Sequence, residues 1–298
     1  MRSPPHPWNP ARAALGAVLL LLATSGCGSV VGHFTRPLFD DLTNSFMQQR
    51  DITLAEQGSP TFLLLLDGLI THSPDNKSLL LAGAKAYSAY NTAFVGSRNP
   101  ERNRLLAEKA KDYAIRALSL HRSSFAEVKD RPHSEFVACL PTFRKKDVPF
   151  LFYGATCWAG WIAANSSSWD ALAQLSKVQS LIERVIELDD SFYYGTPNAF
   201  MGALLTIRPP SMGGKPDEAR KFFERAIELG QGKFLPSYVM FAKQYAKLVY
   251  DKELFYDLLN KVLASPVDTA PDLVLVNTLA QKQAREMIDE AEKDEYFD

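Results

Sequence analysis

Apolar residues recur along this chain at intervals of three and four rather than two. Ala219, Phe222, Phe223, Ala226 and Ile227 occupy i, i+3, i+4, i+7 and i+8. Val178, Leu181, Ile182, Val185 and Ile186 repeat the spacing, and so do Ala110, Tyr113, Ala114, Ala117 and Leu118. Each series lays one apolar stripe along a helix and leaves the opposite face polar. Alternation of strand type is absent over any useful length. The pattern predicts an all-α fold from Pro37 to the C-terminus.

The stripes sit in similar strings: IRALSL, ERVIEL and ERAIEL, with Arg116, Arg184 and Arg225 in the same place. These arginines fall off the stripe, so they are expected on a solvated face, making helix-surface salt bridges. Phe62, Leu66 and Leu69 before Pro74, and Phe255, Leu259 and Val262 before Pro266, fit the pattern more loosely. A spacing of four then three, followed by a helix-stopping turn, is that of the second helix of a tetratricopeptide repeat. The intervals between these segments are uneven and all exceed the roughly 34 residues of a strict repeat. No such hairpin buries its own stripe, so stacking is required. The expected architecture is an α-solenoid of degenerate tetratricopeptide-like hairpins with insertions, forming a single body over residues 37–298.

Two breaks interrupt it. Residues 122–147 contain Pro132 and Pro141 and read as a long connection of the kind that carries function or covers a site. Arg208 to Pro216 stops one helix and starts another: Gly213 and Gly214 make the turn, Pro216 opens the helix, and Asp217 and Glu218 favour its positive end. Val148 to Trp169 carries no charge. That is borderline for a membrane span, but Asn165 to Ser168 shorten its apolar part, and Ala155, Ala159 and Ala163 allow close helix approach. A central buried helix is the preferred reading over a second membrane segment.

Composition changes this picture only at the N-terminus. With 33 basic and 34 acidic residues, 46% hydrophobic residues and a net charge of −1, the chain is ordinary globular material with no general pull towards nucleic acid. Three cysteines are too few for a disulfide framework. Arg2 and Arg12, however, precede a short apolar run, Ala13 to Ala23, and then Thr24-Ser25-Gly26-Cys27. This reads as a secretory signal over residues 1–26. The small residues before Cys27 resemble a bacterial lipobox, which implies a lipidated Cys27 and a tether over 27–36; a plain secretory signal is the alternative. Lipid on Cys27 would hold the body at a membrane while leaving it in water.

Catalytic strings are missing: there is no H-E-x-x-H, C-x-x-C, G-x-S-x-G or Walker A. No enzyme, cofactor or metal is expected. His72 and His121 fall at predicted helix C-termini, where the helix dipole accounts for them. Asp189 and Asp190 end a helix string and look solvated. Aromatic residues remain as candidates. Tyr87, Tyr90 and Phe94 share one helix, Tyr153, Trp158 and Trp161 lie on the uncharged helix, and Tyr193 and Tyr194 start another with Phe192. Such stripes are more often core than ligand contact, but together they are candidates for lining a cavity for a hydrophobic small molecule.

The strings SPDNKSLLLAGAKAYSAYNTAFV, RNRLLAEKAKDYAIRALSL, DVPFLFYGATCWAGWIAA, GGKPDEARKFFERAIELGQGKFLPSYVMFAKQYA and VNTLAQKQAREMIDEAEKDEYFD, running from Ser73 to the C-terminus, resemble the T-component lipoproteins of tripartite ATP-independent periplasmic transporters, the TatT family. The Gly213-Gly214 turn before a Phe-rich helix and the Asn277-x3-Gln281 helix are the most specific parts. The resemblance implies a non-enzymatic, all-helical protein with cryptic tetratricopeptide-like repeats and a hydrophobic pore. It implies trimers, contact with the periplasmic solute-binding P component, and transfer of hydrophobic ligands. Gly28 after Cys27, by analogy with other lipoproteins, implies the periplasmic face of the outer membrane. A scaffold for envelope proteins with no small-molecule ligand is the alternative function.

Overall fold

A computed structural model describes residues 44–208, 211 and 213–297. Cys27 and the segments 1–26 and 27–36 lie outside the described residues. All regular structure among the described residues is helical. Thirteen α-helices are labelled here: α1 (Ile52–His72), α2 (Lys77–Tyr90), α3 (Pro100–His121), α4 (Ser123–Val128), α5 (His133–Phe136), α6 (Val148–Ala164), α7 (Trp169–Leu172), α8 (Leu175–Asp189), α9 (Phe192–Thr206), α10 (Pro216–Gly230), α11 (Pro236–Phe241), α12 (Lys252–Ala264) and α13 (Val274–Lys293).

Local chemistry sets the helix starts. Asp51 caps α1 by accepting from the amides of Thr53 and Leu54, and Asn76 caps α2 through Ser78 and Leu79. Asn99 caps α3, with Pro100 in the first turn, and Asp251 caps α12. Each cap satisfies amides that the helix itself leaves open. The predicted stripes of α3, α8 and α10 are the faces these helices bury: Ala110, Tyr113, Ala114, Ala117 and Leu118 on α3, Val178, Leu181, Ile182 and Val185 on α8, and Ala219, Phe223 and Ala226 on α10. On α1 the register differs from the predicted one. Its buried face is Ala55, Ser59, Leu63, Leu66 and Ile70, while Leu64 and Leu65 are exposed. Four consecutive leucines carry no phase, so periodicity could not choose the face.

Packing follows chain order. Each of α1–α3 packs on the next, α3 packs on α6, α6 on α8, and each of α8–α13 on the next. The last helix, α13, also meets α1, and Arg50 bonds Asp268 at 2.6 Å. The core forms two apolar clusters. One gathers α1, α2 and most of α3, with Cys157 of α6 and Leu275 of α13. The other holds the rest of the chain, from Leu118 to Ala291. The uncharged segment is α6, seventeen residues long and mostly buried, and no described helix is long and apolar enough to cross a membrane. Its close approach to α3 runs through Gly154, where a Cβ would stand 3.0 Å from Leu118. Ala163, expected in that contact, is exposed. Cys139 and Cys157 are both free and buried.

Residues 122–147 are not an open connection. They fold into α4, α5 and two tight turns that bury Phe125, Phe136 and Phe143 completely. Asp147, with no exposed side-chain surface, fastens the end of the segment. His121 Nε2 lies 2.7 Å from one carboxylate oxygen; Arg122 and the Arg144 amide donate to the other. The His121 ring also stacks on Phe150 at 4.0 Å. His121 therefore does more than meet a helix dipole. Burial alone would raise the pKa of Asp147, but the hydrogen bonds from Arg122, His121 and Arg144 outweigh it and hold the pKa at about 2.

Asp147→Ala strands Arg122 and His121 and is expected to cost about 3 kcal/mol, the low end for a broken buried pair because Arg122 keeps some water. Denaturant midpoints measure this. Since the folded pKa lies below the unfolded value of 3.8, the carboxylate's contribution is complete at neutral pH and is lost as pH falls from about 4 to about 2. The stability gap between wild type and variant should close over that interval.

Candidate functional site

Polar groups meet at the seam between the two clusters. On α2, Leu80, Gly83, Ala84 and Tyr87 face the core. Gly83 is required there, because a Cβ would come within 2.8 Å of Ile70 and Tyr113. The packing leaves Lys85 on the opposite side. Its Nζ sits 4.5 Å from the centre of the Tyr153 ring on α6. Among the described residues, no carboxylate lies within ion-pair distance of it. Lys85 is exposed, yet desolvation lowers its pKa. The ammonium is thus reachable from solvent and partly desolvated at once.

Tyr153 is half-buried and packs edge-on against Phe152 at 5.2 Å. Burial, and to a smaller extent the charge of Tyr193, raise its pKa. Neither hydroxyl has a hydrogen-bond partner among the described residues. Burial, with the Asp272 carboxylate beside it, pushes the Tyr193 pKa up to about 12.

Backbone strain delivers Tyr193 to this place. Tyr193, Tyr194 and Gly195 all lie in the left-handed region, at φ 43°, 61° and 77°. This corrects the expectation that Phe192, Tyr193 and Tyr194 simply open a helix. The right-handed helix begins only after Gly195, with Pro197 in its first turn. The side chains around the turn hold it: Thr196 Oγ1 donates to the Tyr193 carbonyl, and Asn198 Nδ2 donates to Asp190 O at 2.9 Å. Tyr193 and Tyr194 both pack on Phe234, at 5.4 and 5.9 Å, and the Tyr194 hydroxyl reaches Asp272 at 3.3 Å.

The other expected aromatic residues lie elsewhere. Tyr87 is buried, and its hydroxyl donates to Asp67 at 2.7 Å, as does Tyr113 at 2.8 Å, with Lys109 completing the cluster. Tyr90 accepts from Arg102 at 2.8 Å and packs on Phe94. Trp158 is buried with its indole nitrogen on Gln174 at 2.7 Å. Trp161 lies under Lys111 and lines a shallow surface groove of about 550 Å³ with Asp75, Glu108, Asp112, Lys129 and Asp130. Charges of both signs make that groove unlike an apolar cavity. Gly213, at φ 88°, turns the chain, and the Lys215 amide closes it on Leu205 O at 2.9 Å. Asp189 and Asp190 are not merely solvated: they pair with Lys145 and Arg225. No metal-binding group of His, Cys, Asp or Glu occurs among the described residues. Sequence reasoning passed over Lys85, although it is the only charge between Lys77 and Arg98.

A family model described as TRAP transporter T-component matches residues 48–297. An uncharacterized protein of Treponema pallidum (strain Nichols) is 24% identical over 298 residues, covering 91% of this chain and 90% of its own length.

Gly195 tests the strained turn. A Cβ there would meet Leu229 Cβ at 2.6 Å in a left-handed conformation. Gly195→Ala is expected to destabilise the protein by about 2 to 4 kcal/mol, from strain and overpacking together. Denaturant unfolding at neutral pH measures this; a loss below half a kcal/mol would show that the turn relaxes freely.

Proposed function

The chain belongs to the TRAP transporter T-component family, and from that premise we propose that it is a periplasm-facing lipoprotein accessory component that docks the solute-binding P component and holds a hydrophobic ligand. The single observation that carries this reading is the family match over residues 48–297, nearly the whole helical body. In this reading residues 1–26 are a signal peptide, Cys27 carries the lipid, residues 27–36 are the tether and residues 37–298 are the working domain. The body is an α-solenoid, its subunits assemble as a trimer, and the anchor lies at the periplasmic face of the outer membrane. The repeated use of Arg116, Arg184 and Arg225 between successive helix pairs supports the solenoid. The half-buried aromatic rings of Tyr153 and Tyr193, backed by Phe152 and Phe234, support the ligand. The family is one of transport accessories, so the protein acts by binding.

Affinity capture of the tagged full chain from solubilised envelopes tests the docking. A TRAP solute-binding protein should be enriched over the untagged control. Recovery of envelope-assembly proteins alone, with no extractable small molecule, would replace this reading with a ligand-free scaffold. Cys27→Ala tests the anchor: the variant should escape lipid labelling and keep the mass of the unprocessed precursor, whereas unchanged processing and labelling would refute lipidation at Cys27.

A further inference from the structure

We propose that the outer face of α1 is a self-association surface, on which a second copy of the chain lays its own α1 antiparallel across a two-fold axis at Thr61. This goes beyond docking and ligand binding. It is also distinct from the contact that closes a trimer. A threefold contact joins two different patches, whereas this one joins a patch to itself, so a trimer that carried it would pair into an even-numbered assembly.

The face is anomalous for a helix in water. Leu54, Gln57, Gly58, Thr61, Leu64, Leu65 and Gly68 are all exposed, and none is charged. At 100° per residue they lie within about 60° of Thr61. Leu54, Gly58, Thr61, Leu65 and Gly68 follow one another at steps of four and three, the rhythm of a seam between two helices. Leu54, Leu64 and Leu65 are 55%, 69% and 54% exposed. Glu56 and Asp67 stand beyond the edge of the strip, half-buried. By contrast, every exposed residue of α10, from Asp217 to Glu228, is charged. Three large apolar side chains on one uncharged strip form a patch, unlike the scattered leucines of an ordinary surface.

The glycines choose the occupant. Glycine inside a helix is destabilising unless something needs the space of its missing side chain. At Gly83, Gly154 and Gly202 the fold needs it, because a Cβ would stand 3.0 Å or less from a side chain of a neighbouring helix. At Gly58 and Gly68 a Cβ would meet no described atom within 4 Å. In an antiparallel pair centred on Thr61, residues equally far before and after it stand level. Leu54 then meets Gly68, Gly58 meets Leu64, Gln57 meets Leu65, and Thr61 meets its own copy. Both glycines receive a leucine, and no charge is set against its like. A parallel pair would set leucine on leucine and glycine on glycine. Leu54 and Gly68 are about 21 Å apart along the axis, so two helices of about 10 Å diameter bury on the order of 800 Å² there. That is below the ~1,200 Å² of a stable complex. The contact is therefore of the weak class, strengthened when the proposed anchors confine both copies to one membrane.

Disulfide trapping of the full chain in intact envelopes tests the pairing. Thr61→Cys, oxidised with copper phenanthroline, should give a cross-linked dimer on non-reducing gels. Wild type is the blank, because Cys139 and Cys157 are buried. Thr71→Cys should give no dimer: its two copies stand about 30 Å apart in the antiparallel pair but level in a parallel one. In the Thr61→Cys background, Gly58→Leu should lower the cross-linked fraction about tenfold by setting leucine on leucine. Adding Leu64→Gly exchanges large and small and should restore most of the yield. Gly58→Leu raises helix propensity at an exposed position, so its melting temperature should not fall, which separates lost pairing from misfolding. Equal cross-linking at Thr61 and Thr71, an unchanged yield in Gly58→Leu, or no dimer at all overturns the two-fold pairing. A mixed disulfide of Thr61→Cys with another protein in place of the dimer overturns it in favour of that partner, and its labelling by a membrane-embedded maleimide in favour of lipid. Capture of the solute-binding protein and processing at Cys27 decide the proposed function separately.

Discussion

The placement of these helices depends on how the backbone groups in the connections are satisfied. A helix leaves its last carbonyls open, and a short loop adds more. In this chain a side chain from a later helix reaches back to fill them. Arg116 on α3 donates to Pro74 O, ahead of α2, at 3.1 Å. Arg184 on α8 donates to Phe143 O, ahead of α6, at 2.9 Å. Arg225 on α10 pairs instead with the Asp190 carboxylate, ahead of α9, at 2.7 Å, while Asn198 fills the Asp190 carbonyl. In each case an arginine on the second helix of a pair holds the loop that leads into the first. A stripe of apolar side chains permits a helix to slide or rotate over its neighbour; a directional bond to one loop does not. The C-terminal part uses amides to the same end. Fully buried Asn277 accepts from the Leu235 amide and donates to Lys233 O and Val267 O, and Gln281 donates to Ser265 O.

This explains which parts of the fold could be read from the sequence. The stripes of α3, α8 and α10 were legible because each has one well-defined phase. The arginines were legible as surface ion pairs, and they do pair with Asp112, Glu187 and Glu228. Their reach to the preceding loop was not legible, because it depends on a residue about forty positions away. Asn277 and Gln281 stood out as part of a family pattern, and the structure supplies the physical reason: both saturate backbone groups in the connections beside α13. The leucine run of α1 gave no phase, and residues 122–147 gave no period at all. Their order comes from three buried phenylalanines and Asp147, a long-range arrangement that local pattern does not encode.

The candidate site was legible in part for the same reason. Aromatic residues at helical spacing identify a buried face but do not say whether it meets protein or open space. Tyr87 and Tyr153 look alike in the sequence. One meets Asp67 on a neighbouring helix; the other meets a lysine on α2. The distinguishing signal was the charge and not the ring. Lys85 is the only charge between Lys77 and Arg98, and a charge in such a place is retained at a cost in desolvation.

Filling the seam would be the simpler solution for stability. A leucine at position 85, with phenylalanines at 153 and 193, would remove three polar groups that have no ion-pair or hydrogen-bond partner among the described residues. The chain instead carries part-buried Asp67 and buried Asp147 and Asn277 as polar centres with their bonding provided from within, and leaves Lys85, Tyr153 and Tyr193 without ion-pair or hydrogen-bond partners among the described residues. Polar groups saturated by the protein fix one arrangement of helices. Polar groups left short of partners, on elements fixed by the first kind, are preorganised for something that arrives from outside. The two clusters, bridged by Phe150, are thus held in register by the bonds at the loops as well as by their apolar contacts.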